Sequence, residues 1–255
     1  MTQKVALVTG AAQRLGRAMT LELAEAGYAV AVHYNRSAGP AEAFVAELQA
    51  VGHTAHAFQA DLSDAGAAMG LSNHVAATLG APTCLINAAS VFINDSADDF
   101  TLDVWHQHLD VHLLAPALLS QQLAKLLPEG EDGLIVNILD EAVMRPGPDF
   151  FSYTLSKVAL ASMTEMLAQA LGPQVRVNGI APGLILNSGH PTEEAFRTAH
   201  KNTLLGRGPN ADAIVRALRY LVDQREVTGE VLYVDAGKHL MQGNKYLPSK
   251  PKGAA

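Results

Sequence analysis

Residues 5–16 read VALVTGAAQRLG, and this stretch decides the fold. Val5–Val8 is a short apolar run with β-branched ends, the signature of a buried strand, and Thr9-Gly10 closes it. From Arg14 to Ala26 the apolar residues recur with helical period. A buried strand, a glycine turn and an amphipathic helix in direct succession make the first half of a βαβ unit.

The same rhythm runs outward through the chain. Ala29–Tyr34 precedes a helical segment at Pro40–Val51, and Thr54–Gln59 precedes one at Asp64–Leu79. The pattern continues with a strand at Thr83–Ile86, a long helix within Thr101–Leu127, and a strand at Leu134–Leu139. A helix from about Ser152 to Leu171 and a strand at Val175–Ile180 follow. An irregular stretch, Ala181–Gly208, leads to a helix near Ala211–Val222 and a last strand at Glu230–Val234. Right-handed crossovers between such strands predict a single-domain α/β Rossmann fold, with a doubly wound, predominantly parallel sheet between helices. Residues 1–242 are expected to form this domain, with a substrate loop at about 181–208. The polar tail 243–255 reads as a poorly ordered end or a subunit contact.

Composition agrees with that architecture. Hydrophobic residues make up 49% and aromatics only 5%, which suits small-residue packing of helices on parallel strands. Eighteen Lys and Arg against 25 Asp and Glu give a formal charge of −7, which opposes a general affinity for nucleic acid or anionic membrane. The single cysteine, Cys84, sits in the apolar run CLIN and reads as a buried thiol. No run approaches a membrane span or a secretory signal, so a cytoplasmic location is expected. No residue cluster calls for a metal.

The turn TGAAQRLG places Gly10 and Gly16 around the point where backbone amides can face a diphosphate at a helix N-terminus. Arg14 adds a cation there or forms a surface ion pair, and Leu15 lies beside it. The second strand ends in HYNRS, setting Tyr34, Asn35, Arg36 and Ser37 where a Rossmann fold meets the adenosine ribose. Arg36 offers a forked, charge-assisted contact to a 2′-phosphate and Ser37 a hydroxyl, so NADPH (NADP+) is expected over NADH. Asp61-Leu62 follows the third strand, facing adenine or capping a helix. Asn87-Ala88-Ala89-Ser90 follows the fourth, as a cofactor-facing or simply a tight turn.

Tyr153 and Lys157 in YTLSK are spaced i,i+4 and share one helix face. An ammonium beside a phenol stabilises phenolate, so the pair is expected to have a lowered tyrosine pKa and to move a proton as a hydride arrives.

Taken together, TGAAQRLG, NAAS, YTLSK, APG (Ala181–Gly183) and VTGEVLYVDAG (Val227–Gly237) resemble the short-chain dehydrogenase/reductase family over almost the whole chain. The resemblance implies that Tyr153 is the general acid or base, that Lys157 also holds the nicotinamide ribose, and that a group thirteen residues before the tyrosine polarises substrate. That position is Asp140, in NILDEAV, where the family carries serine. Protonated by burial, a carboxyl group there can donate to a ring nitrogen. His112, in VHLLAP, stands where the family usually has the asparagine of a proton relay, and reads as that group or as a packed histidine.

The aspartate, HYNRS and NAAS are most similar to the pteridine reductase branch, including bacterial dihydromonapterin reductases. This implies reduction of a dihydropterin, with Asp140, Tyr153 and Lys157 managing the proton. Phe92, two residues after the serine of NAAS, would stack the flat substrate, and Ser90 and Arg14 would bond its polar edge. Pro182, Gly183 and Leu184 are expected along the cofactor. The resemblance also implies a homotetramer built on the two long helices. Two other readings stay open: a reductase of ketones, sugars or acyl thioesters, and a non-catalytic NADPH sensor.

Overall fold

A computed structural model describes residues 3–185 and 192–241. Its centre is one seven-stranded sheet: β1 (Val5–Val8), β2 (Ala29–Tyr34), β3 (Ala55–Gln59), β4 (Cys84–Asn87), β5 (Gly133–Ile138), β6 (Val175–Pro182) and β7 (Val231–Val234). All six ladders are parallel, in the order β3-β2-β1-β4-β5-β6-β7. The expected single α/β domain is therefore present. The order of the strands reverses between β1 and β4, the switch point beyond whose carboxyl ends open parallel sheets place their ligands.

The strands alternate their side chains between two buried layers. Ala6 and Val8 join Val30, Val32, Ile86 and Val136 beneath α1 (Arg14–Glu25), α2 (Ala38–Ala50) and a helix near the C-terminus, α8 (Ala211–Asp223). Val5 and Leu7 join Ala29, Leu85, Ile135 and Val177 on the other face, under α3 (Ala65–Leu79), α5 (Ala115–Leu126) and α6 (Phe151–Leu171). Both faces are dry, which is why these strands read as continuous apolar runs. Cys84 is buried and unpaired as a thiol within this core. Among the described residues no helix is long and apolar enough to cross a membrane.

Three local features differ from the sequence reading. Helix α2 begins at Ala38, two residues before Pro40, because proline is tolerated in a first turn where its missing N–H has no intrahelical partner. The expected long helix divides into α4 (Leu102–Leu109), a π turn (Asp110–Leu114) and α5. Pro116 cannot donate to the His112 carbonyl and its ring crowds that group; the wider π turn, closed by Ala115 N–H on Asp110 C=O, accommodates it. Within the stretch read as irregular lies α7 (Glu193–Lys201), capped by the Thr192 hydroxyl on Ala195 N–H, with acidic residues in its first turn and basic ones in its last. Residues 186–191 of the expected substrate loop and the tail 243–255 lie outside the described residues.

Candidate active site

The glycine turn is built as a cradle. Gly10 has φ +66°, and a Cβ on it would sit 3.0 Å from the Ala89 Cα. A Cβ on Gly16 would lie 2.2 Å from the Gly10 carbonyl oxygen, so only glycine lets α1 begin this close to the turn. The Thr9 hydroxyl oxygen accepts from both Ala88 N–H and Ala89 N–H at 2.9 Å, fastening the NAAS turn to the glycine turn.

His33 lies beneath the turn, a role the sequence reading missed. Its Nδ1 accepts from Gly10 N–H at 3.1 Å, its Nε2 bonds the Ala60 carbonyl at 3.1 Å, and its own carbonyl accepts from Ala11 N–H. Burial pushes this imidazole down to about 4, which keeps it neutral and able to accept. The signal was present in HYNRS, since a histidine inside a strand buried on both faces requires partners on both nitrogens.

Around this cradle the expected cofactor residues fall into two groups. Arg36 is exposed at the end of β2, and Ser37 occupies the α2 N-cap without a side-chain cap bond. Arg14 is exposed in the left-handed region at φ +52°, and neither arginine makes an ion pair among the described residues. Asn35 is also exposed, Leu15 and Tyr34 pack partly on the core, and Pro182, Gly183 and Leu184 are half-buried where β6 ends.

Three others have side chains turned to internal tasks. Asp61 accepts from Ser63 N–H and the Ser63 hydroxyl; these bonds hold its carboxyl below the usual range, and the helix cap is Asp64. Leu62 is core. Asn87 donates to Asn137 Oδ1 at 2.8 Å, and Asn137 donates to Thr164. The Asn87 Oδ1 is left without a hydrogen-bond partner among the described residues, while the Ala88 and Ala89 amides that follow it are engaged by Thr9.

Beyond β5, Asp140 and Tyr153 meet. Asp140 is the N-cap of a 3₁₀ turn, Glu141–Met144; its Oδ1 accepts from Ala142 N–H at 2.8 Å and its Oδ2 from the Tyr153 hydroxyl at 3.1 Å. Capping and phenol binding are thus done by one carboxyl group, on separate oxygens. Lys157 shares the Tyr153 face of α6, but its ammonium donates to Ile138 C=O at 2.8 Å and stands 5.8 Å from the phenol ring centre.

This arrangement corrects the expectation of an acidified phenol. Burial, reinforced by Asp140, holds Tyr153 well above the ordinary phenol range, because a phenolate in a dry site beside a carboxylate is disfavoured. The tyrosine therefore carries its proton. Lys157 is pushed down to about 8 by burial, against the opposing pull of Asp140.

Phe92 is 42% exposed beside this group. It meets the Tyr153 ring edge-on, centroids 4.8 Å apart, and stacks on Phe150 at 4.3 Å and 18°. Phe150 was not singled out from the sequence, where GPDFF reads as loop. It is the α6 N-cap in left-handed conformation, φ +51°, a backbone strain of a kind that collects at functional sites. Ser90 is exposed at the base of the Phe92 segment, and His112 bonds it from the π turn. Among the described residues no group of histidine, cysteine and carboxylate side chains is arranged to hold a metal.

A doubly wound parallel sheet, a glycine cradle at its switch point and a buried tyrosine bonded to a carboxyl group beyond β5 are the features of an oxidoreductase of the dinucleotide-dependent class. The chain belongs to the short chain dehydrogenase family, whose model matches residues 4–195. The crystal structure of FolM alternative dihydrofolate reductase 1 from Brucella suis, in complex with NADP, is 39% identical and superposes with a TM-score of 0.91 over 96% of this chain and 99% of that one. A short chain dehydrogenase from Burkholderia cenocepacia J2315, also in complex with NADP, is 34% identical with a TM-score of 0.86, covering 93% and 98%. Dihydromonapterin reductase of Shigella flexneri serotype 5b is 30% identical over 92% of this chain and 96% of its own length.

Proposed function

We propose that this chain is an NADPH-dependent reductase of dihydropteridines, converting a dihydrobiopterin-, dihydromonapterin- or dihydrofolate-like substrate to its tetrahydro form. One observation carries the reading: the Tyr153 hydroxyl is shared with a carboxylate, Asp140, while an aromatic face, Phe92, stands at its edge. A ketone reductase needs only a neutral donor at that position. A carboxyl group suits a substrate with ring nitrogens, to which it can present either an acceptor or, once protonated, a donor. The similarity to FolM alternative dihydrofolate reductase and to dihydromonapterin reductase supports the same class.

The residues present fit the cofactor. Gly10 and Gly16 leave the cradle open to a diphosphate, and Arg36 with Ser37 supplies charge and a hydroxyl for a 2′-phosphate at the ribose end. Relatives crystallised with NADP support this assignment. When bound, NADPH supplies the hydride. Tyr153 holds the proton at Oη, and Asp140 Oδ2 accepts from that hydroxyl and orients it. Lys157, fixed by Ile138 C=O, presents its charge to the nicotinamide ribose. Phe92 takes the flat ring on its exposed face, with Ser90 and Arg14 at the polar edge. Asn87, Ala88 and Leu184 line the cofactor through main chain and apolar contact, with Asp61 at the adenine end. A cytoplasmic homotetramer with no nucleic-acid or membrane partner completes the proposal.

The test is consumption of NADPH by the purified protein with dihydrobiopterin, dihydromonapterin and dihydrofolate, each against a panel of ketones, sugars and acyl thioesters. Turnover of a dihydropteridine well above any carbonyl supports the reading. Preference for a carbonyl, or no turnover with anything, overturns it.

A further inference from the structure

The segment leaving β4 carries Phe92, and two histidines one helical turn apart hold that segment by its backbone. His112 Nε2 accepts from Val91 N–H at 3.0 Å, and His108 Nε2 accepts from Ile93 N–H at 3.3 Å. Acceptance at Nε2 by a neutral imidazole leaves the proton on Nδ1. Each Nδ1 meets a serine of α6: His108 meets Ser152 Oγ at 2.7 Å, and His112 meets Ser156 Oγ at 2.9 Å. The serines then donate onward, Ser152 to the Asp95 carboxylate and Ser156 to the Tyr153 carbonyl at 2.6 Å.

The result is two parallel rows, each running from backbone amide through imidazole and serine to a final acceptor. The spacings permit it. His108 and His112 are i,i+4, and so are Ser152 and Ser156, so each pair shares one face. Val91 and Ile93 are two apart, the spacing at which amides of an extended chain point the same way. Fixing both leaves Phe92, between them, little backbone freedom. The two imidazoles stack at 5.6 Å and both stand edge-on to Tyr153, at 5.8 and 5.4 Å, so one pair of rings backs the phenol and grips the segment facing it.

We propose that His108 and His112 are positioning residues that hold Phe92 edge-on to Tyr153, so that a flat substrate lying on Phe92 is aligned with the phenol hydroxyl. The substrate in this statement rests on the function proposed above; the geometry does not. All four members are buried, and the charged groups that face them are Asp95 from the Phe92 segment and Lys157 from α6. Burial lowers both imidazoles, Lys157 adds to that, and Asp95 opposes it at His108. Protonation would place an Nε2–H against a backbone N–H and break a row.

The experiment is a double-mutant cycle on His112 and Phe92, read as KM for dihydrobiopterin, kcat and the Kd of NADPH. His112→Leu is expected to raise KM about tenfold, the worth of a lost buried hydrogen bond, with NADPH affinity unchanged. Phe92→Ala should act on the same quantity, and the double variant should be no worse than Phe92→Ala alone. His112→Gln, whose amide oxygen restores an acceptor for Val91, should recover most of the loss; should the leucine variant fail to fold, Ser156→Ala replaces it in the cycle. Additive effects, or a parallel loss of NADPH binding, would overturn the proposal. Hydrogen exchange gives a substrate-independent reading: residues 90–95 should exchange faster in the His112 variant while 84–87 stay protected, and unchanged exchange at 90–95 also overturns it. If the wild-type protein reduces no dihydropteridine, the proposed function fails and the exchange result alone decides the role of the histidines.

Discussion

At the scale of the residue, the site works through the protonation states its burial imposes. Burial holds Tyr153 neutral, and in the proposed reaction its hydroxyl is the proton donor. Tyr153→Phe should lower kcat by about 10²–10⁴ with the Kd of NADPH unchanged by fluorescence titration. Lys157 titrates near 8, far below a free lysine, and its charged form is the one present below that value. Reduction should therefore be sustained at neutral pH and fall as pH rises through about 8 in a kcat/KM profile. A profile flat across that value would separate Lys157 from the reaction. Asp140→Ser restores the family's usual residue but removes a carboxylate that accepts from Ala142 and Tyr153. Pteridine turnover should drop in this variant while any weak carbonyl reduction is kept or rises; unchanged pteridine turnover would deny the carboxyl a special part.

The element scale shows what the sequence could and could not disclose. Helix α1 starts against the glycine turn because Gly16 has no Cβ, and Gly16→Ala would drive one to 2.2 Å from the Gly10 oxygen. Neither partner is a flexible side chain, so the backbone must move, and NADPH binding should be lost well before the fold, as melting with and without cofactor would show. That turn was legible because strand, glycines and helix follow one another in sequence. So was the parallel sheet, whose central strands β1, β2, β4, β5 and β6 are buried on both faces and whose helices carry one apolar face. The π turn at Asp110–Leu114 was not, since its cause is the single ring of Pro116 acting on a carbonyl one turn earlier. Helix α7 went unread although Thr192-Glu193-Glu194 signals a cap, because none of its side chains is buried and apolar period was the criterion. The pairing of α4 and the π turn with α6 through histidine and serine joins residues 44 apart, a distance no local pattern crosses. For the same reason the neutral state of Tyr153 was misread: the spacing to Lys157 is local, whereas the dry surroundings and the Ile138 carbonyl that engages the ammonium are tertiary.

At the scale of the whole molecule, cofactor choice becomes a property of stability. The switch point at the carboxyl ends of β1 and β4 exists only in the folded sheet, so a ligand bound there stabilises the native state by an amount set by its concentration relative to Kd. At about one hundred times Kd, NADPH should contribute about 2.7 kcal/mol, which for a domain of this size is a rise in melting temperature of about 5–11 °C. Arg36 is an exposed guanidinium with no ion pair among the described residues, adding only to the hydrogen bonds that lower the Asp61 carboxyl, so its charge is available to a 2′-phosphate. A charge-assisted contact of this type contributes about 1.5–3 kcal/mol to binding. In Arg36→Ala the unliganded protein should melt as the wild type does, the rise given by NADPH should fall to half or less, and the smaller rise given by NADH should be unaltered. Differential scanning fluorimetry at matched cofactor concentrations measures all three. An equal loss for both cofactors would place Arg36 on the diphosphate or the ribose shared by the two, and the preference for NADPH would have to come from another residue.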